Sequence, residues 1–386
     1  MRKRWISSLL LIALLVCLLP GGAARAADIE IAAPSAILID AATGTVLFEK
    51  NAHERLAPAS VTKVMTLLLV MEALDSGRIG WDDTVVTSAA AAAKGGSQIY
   101  LEENEQMGLR DMLKSVVVSS ANDCATALAE HVSGSESAFV ARMNERAAEL
   151  GMDDTHFVNC TGLDDDPNAA EHLTSAHDIA VMSRELLKHD AIREYTTIWM
   201  DTVRNGQFGL SNTNKLVRFY KGTTGLKTGF TRAAGYCLSA SAERDGLELI
   251  AVVLHCNTST DRFESAKALL DYGFANYCLI EAAPEEELPA VPVVLGREET
   301  VQAVLADDTP ILADKGAAAG VEKTVELAES VSAPVEAGQK LGTLVIRSGG
   351  QKIAQRDIVA ANAVEKLTWW QITVRLLGEV CMSGAK

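Results

Sequence analysis

The sequence lacks three features that would point to particular classes of protein. Its seven cysteines form no Cys-x-x-Cys pair, so the usual zinc-binding pattern is missing. Its 35 Lys and Arg are outnumbered by 51 Asp and Glu, which argues against a nucleic acid as partner. Its N-terminal apolar run, Trp5 to Leu19, is short for a membrane span. We therefore expect a globular protein that needs no metal and no cofactor.

The N-terminus has the features of an export signal. Three basic residues at positions 2–4 precede the apolar run, and Ala24-Arg-Ala26 is a small-residue cleavage site. We predict a signal peptide over 1–26 and an extracytoplasmic location. The four basic residues of that segment are lost on cleavage, so the mature net charge falls from −16 to about −20.

Six cysteines remain after this cleavage, and they are spread through segments that read as core. A domain of this size buries enough apolar surface to be stable without disulfides. We therefore favour a role for the cysteines as small apolar core residues over a disulfide framework. An oxidising compartment leaves a disulfide open. The cysteines are Cys124, Cys160, Cys237, Cys256, Cys278 and Cys381.

Three short motifs occur in a fixed order: Ser-Val-Thr-Lys at 60–63, Ser-Ala-Asn at 120–122 and Lys-Thr-Gly at 227–229. Each motif alone is common enough to arise by chance, but their order and local context make a strong signal. Together they supply what a serine acyl-transfer enzyme needs when lysine carries the proton. The sequence therefore predicts a nucleophilic serine at the first motif.

The first motif lies at the start of a predicted helix. Pro58 and Ser60 precede an uninterrupted apolar run with helical spacing at 64, 67, 68, 71 and 74. The positive end of the helix dipole favours a developing alkoxide on Ser60, and Lys63 shares its face. An ordinary N-cap with a solvated lysine would read the same way in isolation. Beside the other motifs, we predict Ser60 as nucleophile and Lys63 as base.

The second motif lies in a turn between two predicted helices. Its neighbours, Ser119-Ser-Ala-Asn-Asp123, are cap and turn formers, so a plain interhelical turn is the structural alternative. We predict that Ser120 Oγ lies near Lys63. We also predict that the Asn122 amide offers a donor and an acceptor to a substrate amide.

The third motif precedes a predicted hairpin of two apolar runs around Asp245-Gly246. Gly229 on an edge strand would let a substrate backbone approach closely. An extended peptide could then pair with that strand. Lys227 and Thr228 are predicted to contact the substrate beside it.

The residues around these motifs resemble the D-alanyl-D-alanine carboxypeptidase family of low-molecular-mass penicillin-binding proteins. The resemblance runs from about residue 33 to residue 366. It includes the stretches 57–66, 95–98, 120–123, 225–231 and 234–238. It implies an α+β fold, with an antiparallel sheet flanked by helices as in serine β-lactamases and penicillin-binding proteins, followed by a small all-β domain. It also implies an acyl-enzyme, with stem peptides of peptidoglycan ending in D-Ala-D-Ala as substrate and β-lactam antibiotics as ligands.

The resemblance adds two site residues. Arg262, ahead of the last helix of the catalytic domain, is implied to help hold the terminal carboxylate of the substrate. By itself it would read as a solvated charge at a helix start. Phe230 stands where some members have His, but only its backbone N–H is needed, for an oxyanion hole shared with Ser60.

Two other functions share these motifs. A serine β-lactamase would need a deacylating glutamate between Asn122 and Lys227. The candidate stretch 162–167 has no Glu-x-x-x-Asn pattern. A non-catalytic wall-peptide sensor would have a damaged motif, and none is damaged. Carboxypeptidase and endopeptidase action remain open alternatives.

The rest of the chain divides by composition. We predict a catalytic domain over 27–280, an acidic Pro-containing linker over 281–289, and a small β domain over 290–365, where short Val-rich runs alternate with Gly and Asp turns. The tail, 366–386, places Trp369, Trp370, Val374, Leu377 and Cys381 on one helical face. It is too short to span a membrane and is predicted to lie in a membrane interface.

Overall fold

The computed structural model describes residues 29–165 and 167–383, and side chains at 376 and 378–383 are not part of that description. The predicted signal peptide, 1–26, lies outside the described residues. The order of helices and strands confirms the predicted α+β fold followed by an all-β part.

A five-stranded antiparallel sheet forms the centre of the first part. Its strands follow the spatial order β2-β1-β9-β8-β7, so segments from both ends of this part meet in one sheet. Its strands are β1 (Ser35–Asp40), β2 (Val46–Lys50), β7 (Thr223–Thr231), β8 (Gly235–Arg244) and β9 (Leu247–Cys256). The predicted hairpin around Asp245-Gly246 joins β8 and β9. Strand β7, which carries the Lys-Thr-Gly motif, is an edge strand.

Helices cover both faces of this sheet. Helix α9 (Ser259–Asn276) packs on β8 and β9, and α6 (Ala176–Leu187) packs on β1 and β9. Because both faces are covered, the residues of β9 from 249 to 254 are all apolar and fully buried. The other helices of the first part are α1 (Lys63–Asp75), α2 (Ala89–Ala92), α3 (Leu109–Ser119), α4 (Asn122–Ser133), α5 (Glu136–Glu149), α7 (Arg193–Thr196) and α8 (Leu216–Phe219). Two short hairpins complete it, β3 (Thr84–Val86) with β4 (Gln106–Gly108) and β5 (Met200–Val203) with β6 (Phe208–Ser211).

The spacing of apolar residues indicated one apolar face on helix α1, but the structure buries this helix on nearly all sides. Nearly every residue from Lys63 to Leu74 is buried, because α4, α5 and α6 surround it. Glu72, which is partly exposed, pairs with Arg146 at 2.8 Å. A helix that is apolar all round belongs in the middle of a protein. This location holds the Ser-x-x-Lys motif in a rigid setting.

The second part is built from short strands. They are β10 (Tyr277–Ile280), β11 (Val291–Val294), β12 (Thr300–Val301), β13 (Ala303–Leu305), β14 (Ile311–Asp314), β15 (Val321–Leu327), β16 (Val331–Ser332), β17 (Lys340–Ser348) and β18 (Gln351–Ala360). One helical turn, α10 (Lys315–Ala318), interrupts them. Strands β13, β18, β17 and β15 form the largest sheet of this part. Its core consists of small and branched apolar side chains, with Leu344, Ile346 and Ile358 fully buried.

The chain continues into helix α11 (Trp369–Ser383). Trp369 and Trp370 are 87% and 75% exposed. Within the described residues, no helix is long and apolar enough to cross a membrane.

The five cysteines whose side chains are described, at 124, 160, 237, 256 and 278, are free thiols. Four of them are buried, which fits the predicted role as small core residues. Cys381 lies among the residues whose side chains are not described.

Candidate active site

The Ser-x-x-Lys motif lies at a junction between two kinds of helix. A 3-10 turn, Ala59–Thr62, runs directly into helix α1, so Ser60 belongs to the turn and Lys63 begins the helix. Ala59 has a φ of +49°, a left-handed conformation that is uncommon for a residue with a side chain. This conformation presents Ser60 at the surface of the cleft, where it is partly exposed.

Lys63 is fully buried, yet its amine is surrounded by oxygen atoms. Its Nζ lies 3.0 Å from Ser60 Oγ, 2.5 Å from Asn122 Oδ1 and 2.8 Å from the Thr161 carbonyl oxygen. Burial lowers the pKa of Lys63 from 10.5 to about 7. Burial is the largest cause of this shift, because it disfavours the charged form of the amine.

The geometry suits a neutral lysine that acts as a base. A neutral amine has two N–H bonds and one lone pair. Asn122 Oδ1 and the Thr161 carbonyl can only accept hydrogen bonds, so they take the two N–H bonds. The lone pair then faces Ser60 Oγ, in position to accept the hydroxyl proton.

Ser120 ends helix α3 in a left-handed conformation, with φ 62° and ψ 29°. This bend turns the chain into helix α4, which begins at Asn122. Ser120 Oγ is buried and has no hydrogen-bond partner within the described part of the chain. A buried hydroxyl without a partner costs free energy, and it is a group that an incoming substrate can satisfy.

Asn122 has two partners within the protein that the sequence did not indicate. Its Oδ1 accepts from Lys63, and its Nδ2 donates to the Gly95 carbonyl at 2.7 Å. Both ends of the amide therefore have partners within the protein. In this arrangement Asn122 orients the lysine, because a fixed acceptor fixes the direction of one N–H bond.

Strand β7 brings the third motif against the serine. A Cβ at Gly229 would lie 2.6 Å from the Pro58 carbonyl oxygen and 3.0 Å from Ser60 N, so only glycine fits. Lys227 is buried and donates to the Thr228 carbonyl at 2.8 Å. Burial, then the charges of Lys63 and Arg262, hold the pKa of Lys227 well below its usual value. Lys63, Lys227 and Arg262 therefore lie close enough together for their charges to interact, a setting that suits an anionic ligand.

Thr228 is buried at the same edge, where its hydroxyl donates to Thr213 Oγ1 at 2.7 Å. The next residue, Phe230, is 52% exposed, and its ring lies 4.3 Å from that of Tyr236. Gly229 and Phe230 belong to the outer strand of the sheet. The backbone of this segment can therefore face a bound peptide.

Arg262 comes from helix α9 and is only 7% exposed. Its guanidinium donates to the Gly229 carbonyl at 3.2 Å and to Ser259 Oγ at 3.3 Å. Its Nε is buried without a partner within the described residues. Burial lowers the pKa of Arg262. The structure therefore places this guanidinium behind the Lys-Thr-Gly strand, with donor capacity left over.

A loop that the sequence analysis did not single out supplies the remaining contact to the Lys63 amine. Asn159 Oδ1 accepts from the backbone N–H groups of Thr161 and Gly162, at 3.1 and 2.7 Å. This turn directs the Thr161 carbonyl at Lys63 Nζ, 98 residues away in sequence. Gly162 has a φ of +80°, and Asn-Cys-Thr-Gly is rich in turn formers. That local signal indicates a turn, but not what its carbonyl contacts.

Comparison with known proteins gives a consistent result. Residues 22–258 match the family described as D-alanyl-D-alanine carboxypeptidase, and residues 283–366 match the domain described as penicillin-binding protein 5, C-terminal domain. The chain is 40% identical over 390 residues to the D-alanyl-D-alanine carboxypeptidase DacF of Bacillus subtilis, with 98% of each chain covered.

Solved structures show the same likeness. Penicillin-binding protein 5 of Haemophilus influenzae superposes with a TM-score of 0.74 at 31% identity, covering 88% of this chain and 99% of that one. Penicillin-binding protein D2 of Listeria monocytogenes, solved in the ampicillin-bound form, gives a TM-score of 0.59 at 32% identity. That alignment covers 64% of this chain and 99% of the other.

Proposed function

Since this chain belongs to the family of D-alanyl-D-alanine carboxypeptidases, we propose that it removes the terminal D-alanine from stem peptides of peptidoglycan through a serine acyl-enzyme. One observation carries the mechanism. The amine of Lys63 lies 3.0 Å from Ser60 Oγ with a pKa lowered to about 7 by burial. A base with a pKa near neutral pH is well matched to proton abstraction.

Acylation begins when neutral Lys63 takes the proton of Ser60. The serine oxygen attacks the carbonyl carbon between the two D-alanines. The carbonyl oxygen becomes an oxyanion, and the backbone N–H groups of Ser60 and Phe230 donate to it. Support for this pair comes from the close approach of Gly229 to Ser60 N, which brings β7 beside the serine.

Collapse of the tetrahedral intermediate requires a proton on the leaving D-alanine. In this proposal Ser120 passes the proton from Lys63 to the leaving nitrogen, and its buried hydroxyl, which has no partner within the described residues, is available for that role. Lys227, Thr228 and Arg262 hold the carboxylate of the leaving group, and its negative charge offsets the repulsion between Lys227 and Arg262. Water then hydrolyses the ester on Ser60, and Lys63 again serves as base.

The test uses a defined pentapeptide muropeptide and a labelled penicillin. We expect loss of one D-alanine by mass, and a penicillin adduct on the peptide that contains Ser60. The drug should leave slowly, because the loop 159–165 offers no glutamate as a deacylating base. Rapid turnover of penicillin would indicate a β-lactamase instead. Cleavage of cross-linked dimers in preference to the pentapeptide would indicate an endopeptidase.

We further propose that the enzyme acts outside the cytoplasm and that helix α11 attaches it to a membrane surface. Trp369, Trp370, Val374 and Leu377 are all more than half exposed. Tryptophan is favoured at the membrane interface. Arg375 pairs with Glu299, so this contact ties the helix to the β-rich part while its apolar side chains stay uncovered. Such a surface is suited to lipid.

Vesicle co-sedimentation tests this attachment. The full mature chain should sediment with vesicles at low and at high salt, because apolar burial is not screened by ions. A chain that lacks 366–386 should stay in solution. A variant with Trp369→Ala and Trp370→Ala keeps the tail length and charge, and it should bind much more weakly. Equal sedimentation of all three forms, or release of the full chain by salt, would refute the proposal.

A further inference from the structure

A buried histidine lies behind the nucleophile, outside the three motifs. His172 is 4% exposed and belongs to the segment that follows the Asn159–Gly162 turn. Its Nε2 lies 2.8 Å from Thr62 Oγ1, and Thr62 is itself fully buried. Thr62 stands between Ser60 and Lys63 in the first motif. The sequence analysis gave no role to either residue.

The hydrogen bonds around His172 define which nitrogen carries the proton. The backbone N–H of Val158 donates to His172 Nδ1 at 3.1 Å, so Nδ1 is the unprotonated nitrogen. Nε2 therefore carries the hydrogen and donates to Thr62 Oγ1. With its oxygen accepting from His172, the Thr62 hydroxyl is oriented to donate to the Ala59 carbonyl at 2.8 Å. The three groups form a chain with one direction, from His172 through Thr62 to Ala59.

This series of hydrogen bonds ends at the Ala59 carbonyl, which is one half of the peptide unit that links Ala59 to Ser60. The other half of that unit is the N–H of Ser60. In a planar trans peptide the C=O and N–H point to opposite sides, so fixing one fixes the other. The Ser60 N–H is one of the two donors that the proposed mechanism assigns to the oxyanion hole. The contact at Ala59 therefore sets the direction of a donor in the reaction.

A second contact, from the backbone at Gly162, constrains the same peptide unit. A Cβ at Gly162 would lie 1.8 Å from the Ala59 carbonyl oxygen and 2.7 Å from Thr62 Oγ1. The loop backbone thus rests directly on the Ala59 carbonyl. The left-handed φ of Ala59, +49°, is a conformation that persists only when its surroundings impose it. The Gly162 backbone and the Thr62 hydroxyl are surroundings of that kind.

We propose that His172 and Thr62 are positioning residues, which hold the Ala59–Ser60 peptide so that the Ser60 N–H points at the developing oxyanion. The inference rests on the serine acyl-enzyme function proposed above. Neither residue touches the substrate, and their effect passes through the peptide plane. Removing an oxyanion donor outright costs about 10²–10³-fold in rate, so misdirecting one is expected to cost about 10–100-fold.

Four variants test this role in the full mature chain. Thr62→Val and His172→Phe each break the chain of hydrogen bonds. Thr62→Ser keeps the hydroxyl, and His172→Gln keeps an N–H donor at the place of Nε2. We expect the first two to lower the rate constant for penicillin acylation about 10–100-fold and the second two to stay within about threefold of wild type. Thermal unfolding of each variant shows whether it is folded.

A boronic acid analogue of the acyl-D-alanine substrate gives the specific readout. Its boron binds Ser60 Oγ and becomes tetrahedral, which places an oxygen in the oxyanion hole. Thr62→Val and His172→Phe should weaken this inhibitor by the same factor as acylation, while KM for the pentapeptide is unchanged. A loss confined to KM would overturn the proposal, because it would signify a general distortion of the cleft.

The remaining outcomes also decide. If Thr62→Ser loses as much activity as Thr62→Val, the hydroxyl has no such role and the proposal is wrong. The same holds if all four variants match wild type, or if all four unfold. If only one of Thr62→Val and His172→Phe unfolds, the folded one is compared with its conservative counterpart. Its affinity for the boronic acid then decides. If the wild-type chain neither releases D-alanine nor reacts with penicillin, the proposed function fails, which is a separate result.

Discussion

The two parts of the molecule bury different kinds of side chain. Between residues 33 and 280, the buried set includes Lys63, Asp123, Lys227 and Arg262 beside the apolar core. Between 290 and 365, the buried side chains of the described residues are all aliphatic. Burial of a charged group is costly unless it is paired or neutralised. The first part carries this cost at the residues that the proposed reaction uses, whereas the core of the second part consists of aliphatic side chains.

This difference teaches where substitutions will matter. In the first part, hydrogen bonds join Ser60, Lys63 and Asn122, so the loss of one of them is expected to impair the others. In the second part, a substitution changes packing and little else.

The largest effect is expected from the nucleophile and its base. Ser60→Ala and Lys63→Ala should each lower D-alanine release by about 10³-fold or more, and the double variant should be little worse than either, because the two residues act as a unit. Measured kcat/KM for a pentapeptide checks this. Losses that multiply in the double variant would contradict the 3.0 Å pairing seen between these side chains.

The next effect depends on pH. Burial lowers the pKa of Lys63 to about 7, so the amine is protonated below that pH and neutral above it. The rate constant of penicillin acylation should therefore fall about tenfold per pH unit below 7 and level off above it, since only the neutral amine accepts a proton. Stopped-flow acylation across pH 5 to 9 measures the profile. A half-maximal point above pH 9 would show that the pKa of the amine is not lowered, and a rate constant independent of pH would show that the lysine is not the base.

Arg262 should have a smaller and substrate-dependent effect. Arg262→Ala is expected to impair cleavage of peptides with a free terminal carboxylate about 10–100-fold, and acylation by an ester lacking that carboxylate much less, because Arg binds carboxylates through charge-assisted hydrogen bonds. Arg262→Lys, which keeps the charge without the planar fork, should be intermediate. Equal losses on both substrates would assign Arg262 to holding the Gly229 carbonyl alone.

The smallest effect on activity is expected in the β-rich part. Leu344→Ala on β17 and Leu68→Ala on α1 both remove a fully buried leucine. Each should lower the free energy of unfolding by about 2–5 kcal/mol in its own part. Only Leu68→Ala should slow acylation more than twofold, because α1 carries Lys63. Calorimetry measures the unfolding of both variants, and a penicillin-binding assay measures their acylation. Slow acylation of Leu344→Ala would contradict the contrast between the two parts.

The sequence predicted the elements that carry the site better than the contacts within it. The start of α1, the turn at Ser120 and the hairpin around Asp245-Gly246 follow local rules of spacing and turn chemistry. The chain segments also converge as the motif order and the family resemblance implied. The real partners of Asn122, which are Lys63 and the Gly95 carbonyl, were not predicted.

The reason for these omissions is physical. The Thr161 carbonyl and His172 act through irregular backbone that has no periodicity to read. A carbonyl group is present in every residue, so sequence cannot tell which one meets a lysine 98 positions away. Likewise, the left-handed φ of Ala59 occurs at a residue other than glycine, so the sequence does not indicate it. Such features arise from tertiary contacts.

The free thiols have a consequence for redox behaviour. Burial raises the pKa of the Cys124 and Cys160 thiols well above the usual range, that of Cys237 to about 11 and that of Cys256 to about 12. Thiolate is the form that reacts with oxidants and alkylating reagents, so these four side chains are inert while the fold is intact. These four cysteines therefore form no bond that an oxidant must make or that a reductant would break. These four thiols become reactive only on opening, so the rate of their labelling by maleimide would measure how often the first part of the molecule unfolds.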